Sequence, residues 1–232
     1  MLSYSKQDLI FESKKEKVRP EILEKVWHLL DILREISKNE TLSSQFALKG
    51  GTALNLFYLN VPRLSVDIDL NYIGSSSLQM VKQVRPGLEK ILESIYTAKG
   101  MSVRNAVTAH AGGKYQLRYP SVLNEGHGTL EVDLNYMFRI PLFEPQKLTS
   151  TPIGSRSGEN ILVVAFEEVI AGKLCALLNR KAARDIFDTY SILFHTQYEV
   201  AKLKTAFLAY WVMESSHGAQ IPFEKIGIDE IN

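Results

Sequence analysis

The chain has 232 residues, of which 45% are hydrophobic and 23% charged, and it carries a formal net charge of +1. That balance supplies apolar surface for one large domain or two intimate ones, and it argues against a protein that coats nucleic acid through bulk positive charge. No apolar stretch approaches the roughly 20 residues needed to cross a bilayer, and Lys6 and Asp8 interrupt the opening segment, so neither a membrane span nor a signal peptide is expected.

In chain order, Pro20 to Lys38 carries Ile22, Leu23, Val26, Leu29, Leu30, Leu33 and Ile36 at spacings of three and four, which predicts an amphipathic helix with Pro20 in its first turn. Phe46 to Lys49 reads as a short strand ended by Gly50-Gly51, and Thr52 to Leu59 as a helix stopped by Pro62. Leu64 to Ile73 alternates: Val66, Ile68, Leu70 and Tyr72 share one face of a strand, and Ser65, Asp67, Asp69 and Asn71 the other. Leu78 to Ile95 has helical spacing, with a kink or short break expected at Pro86-Gly87. Met101 to Ala109, Lys114 to Tyr119 and Thr129 to Phe138 then read as a meander of strands. From Ala165 onward there are three helical stripes: Val169 to Leu178; Ile186, Phe187, Tyr190 and Leu193; and Leu203, Phe207 and Trp211. The expectation is an α/β fold with a mixed sheet and flanking helices over residues 1–150, followed by a helical region over 151–232. The single cysteine, Cys175, lies among Leu174, Ala176, Leu177 and Leu178 and reads as a core residue in a reducing, cytoplasmic setting.

Side chains two apart on a strand point the same way, with Cα atoms about 6.5 to 7 Å apart. Asp67 and Asp69 therefore present two carboxylates that repel unless a cation neutralises them, and a hard divalent ion such as magnesium suits one or two carboxylates together with phosphate oxygens. The apolar opposite face fixes the register. Upstream, the amides of Gly50-Gly51-Thr52 and the Thr52 hydroxyl can cradle an anion ahead of a helix, or form only a tight turn. This is no Walker loop, because Lys49 precedes the glycines and no Gly-Lys-Ser/Thr follows. Arg63, at the strand entry, is a further candidate for a phosphate. Asp133 shares a polar strand face with Glu131 and Asn135 and is the candidate third carboxylate that two-metal phosphoryl chemistry requires. The five histidines show no metal-ligand spacing, and Gly154 to Gly158 lacks the serine of a nucleophile elbow.

Leu48-Lys49-Gly50-Gly51-Thr52-Ala53-Leu54 followed by Arg63-Leu64-Ser65-Val66-Asp67-Ile68-Asp69-Leu70 resembles the AbiEii/AbiGii toxin family, which includes the MenT toxins and belongs to the DNA polymerase β-like nucleotidyltransferase superfamily. Glu168 to Leu174 and Arg184-Asp185-Ile186-Phe187-Asp188-Thr189-Tyr190 look like that family's helical motifs. The resemblance implies a nucleotidyltransferase-type sheet and a C-terminal helical region that completes the site. It implies magnesium or manganese held by Asp67, Asp69 and Asp133, with Lys173 contacting the triphosphate. The nucleotide-binding set it implies is Gly50, Gly51, Thr52, Arg63, Ser65, Lys173, Arg184, Asp185 and Asp188. The chain departs from the pattern at Ala182, where the family often has a basic residue; Arg180 and Lys181 are the nearby substitutes.

By the same resemblance the reaction is transfer of a nucleoside monophosphate from a nucleoside triphosphate to an acceptor hydroxyl, with RNA, such as the 3′ end of tRNA, as acceptor and an antitoxin as partner. Two alternatives share these residues: a nucleotidyltransferase for small molecules, and a nucleotide-binding module without turnover.

Overall fold

The periodic stretch after Pro20 forms helix α2 (Pro20–Lys38), preceded by α1 (Lys6–Lys15), which is closed by a Ser5–Asp8 capping box. Leu23, Val26, Leu29, Leu30, Leu33 and Ile36 are buried, each contributing on the order of 1.5 to 3 kcal/mol relative to exposure. A computed structural model describes residues 4–61, 63–109, 111–123, 126–180 and 182–215. Pro62, His110, Asn124, Lys181 and His217, on which parts of the sequence reading fall, lie outside the described residues.

Strand β1 (Phe46–Lys49) runs into α3 (Gly50–Thr52), which continues as a π-helical turn over Ala53–Tyr58. Then come β2 (Asp67–Tyr72), α4 (Leu78–Ala98), β3 (Ser102–Ala109), β4 (Gly112–Pro120), β5 (His127–Asn135), β6 (Gln146–Leu148) and β7 (Ile161–Val163). They form one mixed seven-stranded sheet in the order β3-β4-β5-β2-β1-β7-β6. The meander β3-β4-β5 is antiparallel, β5 runs parallel to β2, and β2 is antiparallel to β1. Alternation places Tyr115, Leu117 and Tyr119 of β4 and Leu130, Val132 and Leu134 of β5 in the core, leaving Lys114, Arg118, Glu131 and Asp133 on the other face.

Asn71 keeps to the side of Asp67 and Asp69 that alternation gives it and is buried there, on an interior strand paired on both sides. One expectation needs correction in this unit. Pro86 does not interrupt α4, which is continuous from Leu78 to Ala98. Pro86 and Gly87 are exposed, so the carbonyl deprived of its helical donor can be hydrated at little cost. Immediately before Pro86 on the same helix, Arg85 pairs with Glu89 at 2.7 Å and donates to the Gly112 carbonyl at 3.0 Å, fixing α4 to the start of β4.

The chain divides into two compact units, one extending to Val169 and the other beginning at Ile170. Because β7 pairs in parallel with β1, the sheet carries the first unit past residue 160. The second unit contains the remainder of α5 (Phe166–Arg180), then α6 (Ala183–His195) and α7 (Val200–Ser215). Cys175 is fully buried and in no disulfide. The stripe expected for α6 is inverted: Ile186, Phe187, Tyr190 and Leu193 are exposed, whereas Asp185, Asp188, Thr189 and Ile192 are buried. These buried positions recur at three, four and seven, so the helix is amphipathic but packs its polar face inward. No helix among the described residues is long and apolar enough to cross a membrane.

Candidate active site

The register of four adjacent strands assembles the site. Lys49 of β1 lies opposite Asp69 of β2, Asp69 opposite Asp133 of β5, and Asp133 opposite Lys114 of β4. Directly opposed residues share a face, so Lys49, Asp69, Asp133 and Lys114 form one cross-strand row about 15 Å long. Asp67, two residues before Asp69, lies on the same face of β2 and is half-buried like it, whereas Ile68 and Leu70 face the core. The row borders a cleft of about 370 Å³ lined by Lys49, Asp69, Gly112, Gly113, Lys114 and Asp133, among others.

The glycine turn touches this row directly. Gly50 has φ of +73°, the left-handed region that glycine enters without a Cβ penalty, and a Cβ there would stand 2.1 Å from Asp69 Oδ2. The carboxylate thus lies against the main chain of the turn. Thr52 is fully buried, and its hydroxyl donates to the Asp67 carbonyl at 2.5 Å, so it fastens the helix start to β2. Asn55 donates to the Gly51 carbonyl at 2.9 Å from within the same helical segment. Arg63 is half-buried and donates to the Leu64 carbonyl at 3.3 Å; Ser65 is half-buried beside it.

Electrostatically, the row alternates between repulsion and relief. Burial raises the Asp133 carboxyl above its usual range, with Glu131 and Asp67 adding to the rise and Lys114 opposing it. The Lys114 ammonium lies 3.0 Å from Glu131 Oε2 and 3.7 Å from Asp133 Oδ2. Its own pKa is raised, first by that hydrogen bond to Glu131. Among the described residues, no three carboxylate, imidazole or thiol groups converge on one point.

The second unit has its own charged cluster. The Lys173 ammonium is 2.8 Å from Asp188 Oδ2 and 3.7 Å from Asp185 Oδ1. Arg180 forks onto Asp185 with Nε to Oδ2 at 2.6 Å and a second contact at 2.8 Å. Those hydrogen bonds, before any other cause, hold the Asp185 carboxyl below its usual range. Both aspartates are fully buried and Lys173 nearly so, while Arg184 is exposed. The structure therefore brings Lys173, Asp185 and Asp188 together, adds Arg180, and leaves Arg184 at the surface.

Reading the sequence missed Lys49 and Lys114 as members of the site. Lys49 adjoins the glycines and could have been suspected; Lys114 is marked only by its register with Asp133, which no local pattern reveals. Among the histidines, His28 is buried against Tyr119 and pushed down to about 4 by burial and by Arg156, a neutral packing role.

The family described as nucleotidyl transferase AbiEii toxin of type IV toxin–antitoxin systems matches residues 31–231. The chain belongs to that family. This AbiEii protein is accordingly a nucleotidyltransferase, and nucleoside triphosphates are the family's substrates. Among solved structures, the MenT4 nucleotidyltransferase toxin of Mycobacterium tuberculosis is similar with a TM-score of 0.69 and 14% identity, covering 92% of this chain and 74% of that one. JHP933 from Helicobacter pylori gives 0.57 and 20% identity over 85% and 82% of the two chains. A putative nucleotidyltransferase from H. pylori gives 0.58 and 19% over 86% and 83%. At these identities the likeness is one of fold. No curated protein sequence matches the chain.

Proposed function

We propose that this AbiEii protein transfers a nucleoside monophosphate from a nucleoside triphosphate to a hydroxyl of RNA, releasing pyrophosphate, with magnesium or manganese held by Asp67, Asp69 and Asp133. The observation that supports this best is the cross-strand pairing of Asp69 with Asp133, with the Gly50 main chain against the Asp69 carboxylate. The donors are all carboxylate oxygens, the set that hard divalent cations prefer, and the cation beside Asp133 is the exposed Lys114. The residues present fit such a cation, which when bound supplies charge neutralisation at the triphosphate and acceptor oxygens.

The protein's own groups carry the remaining work. The main-chain amides of the Gly50-Gly51-Thr52 turn cradle phosphate oxygens, the Thr52 hydroxyl being already donated to β2. Arg63 and Ser65 border the triphosphate. Asp133 accepts the proton of the attacking hydroxyl. Lys173 of the second unit contacts the triphosphate, and Arg184, Asp185 and Asp188 complete or brace its cluster. The acceptor is the 3′ end of tRNA, the partner an antitoxin, and the setting the cytoplasm.

The test is incubation of the purified protein with a divalent cation, each α-labelled nucleoside triphosphate and total RNA. Label enters RNA, and Asp67→Ala lowers the rate by about three orders of magnitude or more. Label on a small molecule instead of RNA overturns the acceptor assignment, and transfer of γ-label but not α-label overturns nucleotidyl transfer itself.

A further inference from the structure

Lys114 stands where the functional reading has no use for a positive charge. It is an exposed residue on β4, opposite Asp133 in the register, and its ammonium lies 3.0 Å from Glu131 and 3.7 Å from Asp133. Arg118, four residues further along the same strand and on the same face, lies beside His127 instead, with a nitrogen–nitrogen separation of 3.0 Å. Glu131 shares the face of Asp133 on β5 and Asp69 stands opposite Asp133 in the register, so carboxylates crowd this part of the sheet. A lysine is suited to relieve that crowding reversibly: a point charge on a flexible stem, with a cleft of about 370 Å³ beside it into which the stem can swing.

We infer that Lys114 is a tethered cation that occupies the divalent-cation side of Asp133 in the metal-free protein, and that it must be displaced before Asp133 can act as a metal ligand. The inference rests on the assignment of Asp67, Asp69 and Asp133 as the metal site. Lys114 is thus a positioning residue: it keeps Asp133 and Glu131 from repelling each other in the empty site and competes with the incoming ion.

Binding of Mn²⁺ to the full chain, followed by electron paramagnetic resonance or titration calorimetry without nucleotide, tests this. Lys114→Gln and, as a second neutral variant, Lys114→Thr should bind Mn²⁺ more tightly, on the order of two- to fivefold, the scale of one exposed ion pair. Lys114→Arg should stay within about twofold of the parent. Arg118→Gln, which removes the same charge further along the strand, should leave the affinity unchanged. In metal-free buffer both neutral variants should melt below the parent, and saturating Mn²⁺ should close the gap. Unchanged or weaker Mn²⁺ binding in both neutral variants overturns the inference, as does an equal gain in Arg118→Gln, which would show only the general field of the surface. Asp67→Asn separates the two levels: if the parent binds no Mn²⁺, or Asp67→Asn binds it equally well, the metal-site reading falls and this inference with it. If Asp67→Asn loses Mn²⁺ while the Lys114 variants match the parent, only the role of Lys114 falls.

Discussion

The carboxylate end of the sheet and helix α6 both place acidic residues at regular spacing, yet the two regions treat them oppositely. On β2 and β5 the acids lie on the accessible face and the apolar residues in the core, as alternation dictates. On α6 Asp185 and Asp188 are completely buried while Ile186, Phe187, Tyr190 and Leu193 are exposed. The difference lies in the available partners. A buried aspartate is tolerable only when paired, and Lys173 and Arg180 provide that pairing in the second unit. Asp69 and Asp133 instead border the cleft, with Asp67 half-buried on the same face of β2.

Three substitutions would break or sharpen this contrast. The largest effect is expected from Asp188→Ala, which strips the buried Lys173 ammonium of its nearer partner and should destabilise the second unit by about 3 kcal/mol, read as a drop in thermal or urea midpoint. Combining it with Lys173→Met should recover much of that loss; no recovery would mean the cluster is held by something other than charge pairing. Next comes Gly50→Ala. The added methyl would collide with Asp69 Oδ2 at a left-handed φ, so about 1 to 2 kcal/mol of strain and a roughly hundredfold loss of transfer are expected from displacement of the carboxylate. Activity equal to that of the parent would show that the position of Asp69 tolerates the shift. Smallest is Leu193→Ser on the exposed side of α6. It should change stability by less than about 0.5 kcal/mol, whereas the stripe read from the sequence would make Leu193 a core residue, costing about 2 kcal/mol or more when truncated.

Legibility followed the same division. The period-two pattern from Val66 to Tyr72 was sufficient to place Asp67 and Asp69 on one side, because a sheet has only two faces and one was apolar. The pattern assigns a side, not a depth: Asn71, on the side of the aspartates, is buried. The helical stripe of α6 gave the correct element and the wrong face. Apolar spacing identifies an inward face only when the opposite side holds polar groups that must be solvated, and here those groups are paired internally. Strands β6 and β7 are three residues each, too short to show a period.

The sequence by itself determined the longer strands and helices from α2 onward, the shared direction of the two β2 aspartates and the glycine turn beside them, since each is set by residues within a few positions of one another. The tertiary structure alone decided that Asp69 faces Asp133, that Lys49 and Lys114 bracket them, and that Lys173 pairs with Asp188. Strand register and burial of charge arise from contacts between segments far apart along the chain, and no local spacing encodes which partner each segment meets.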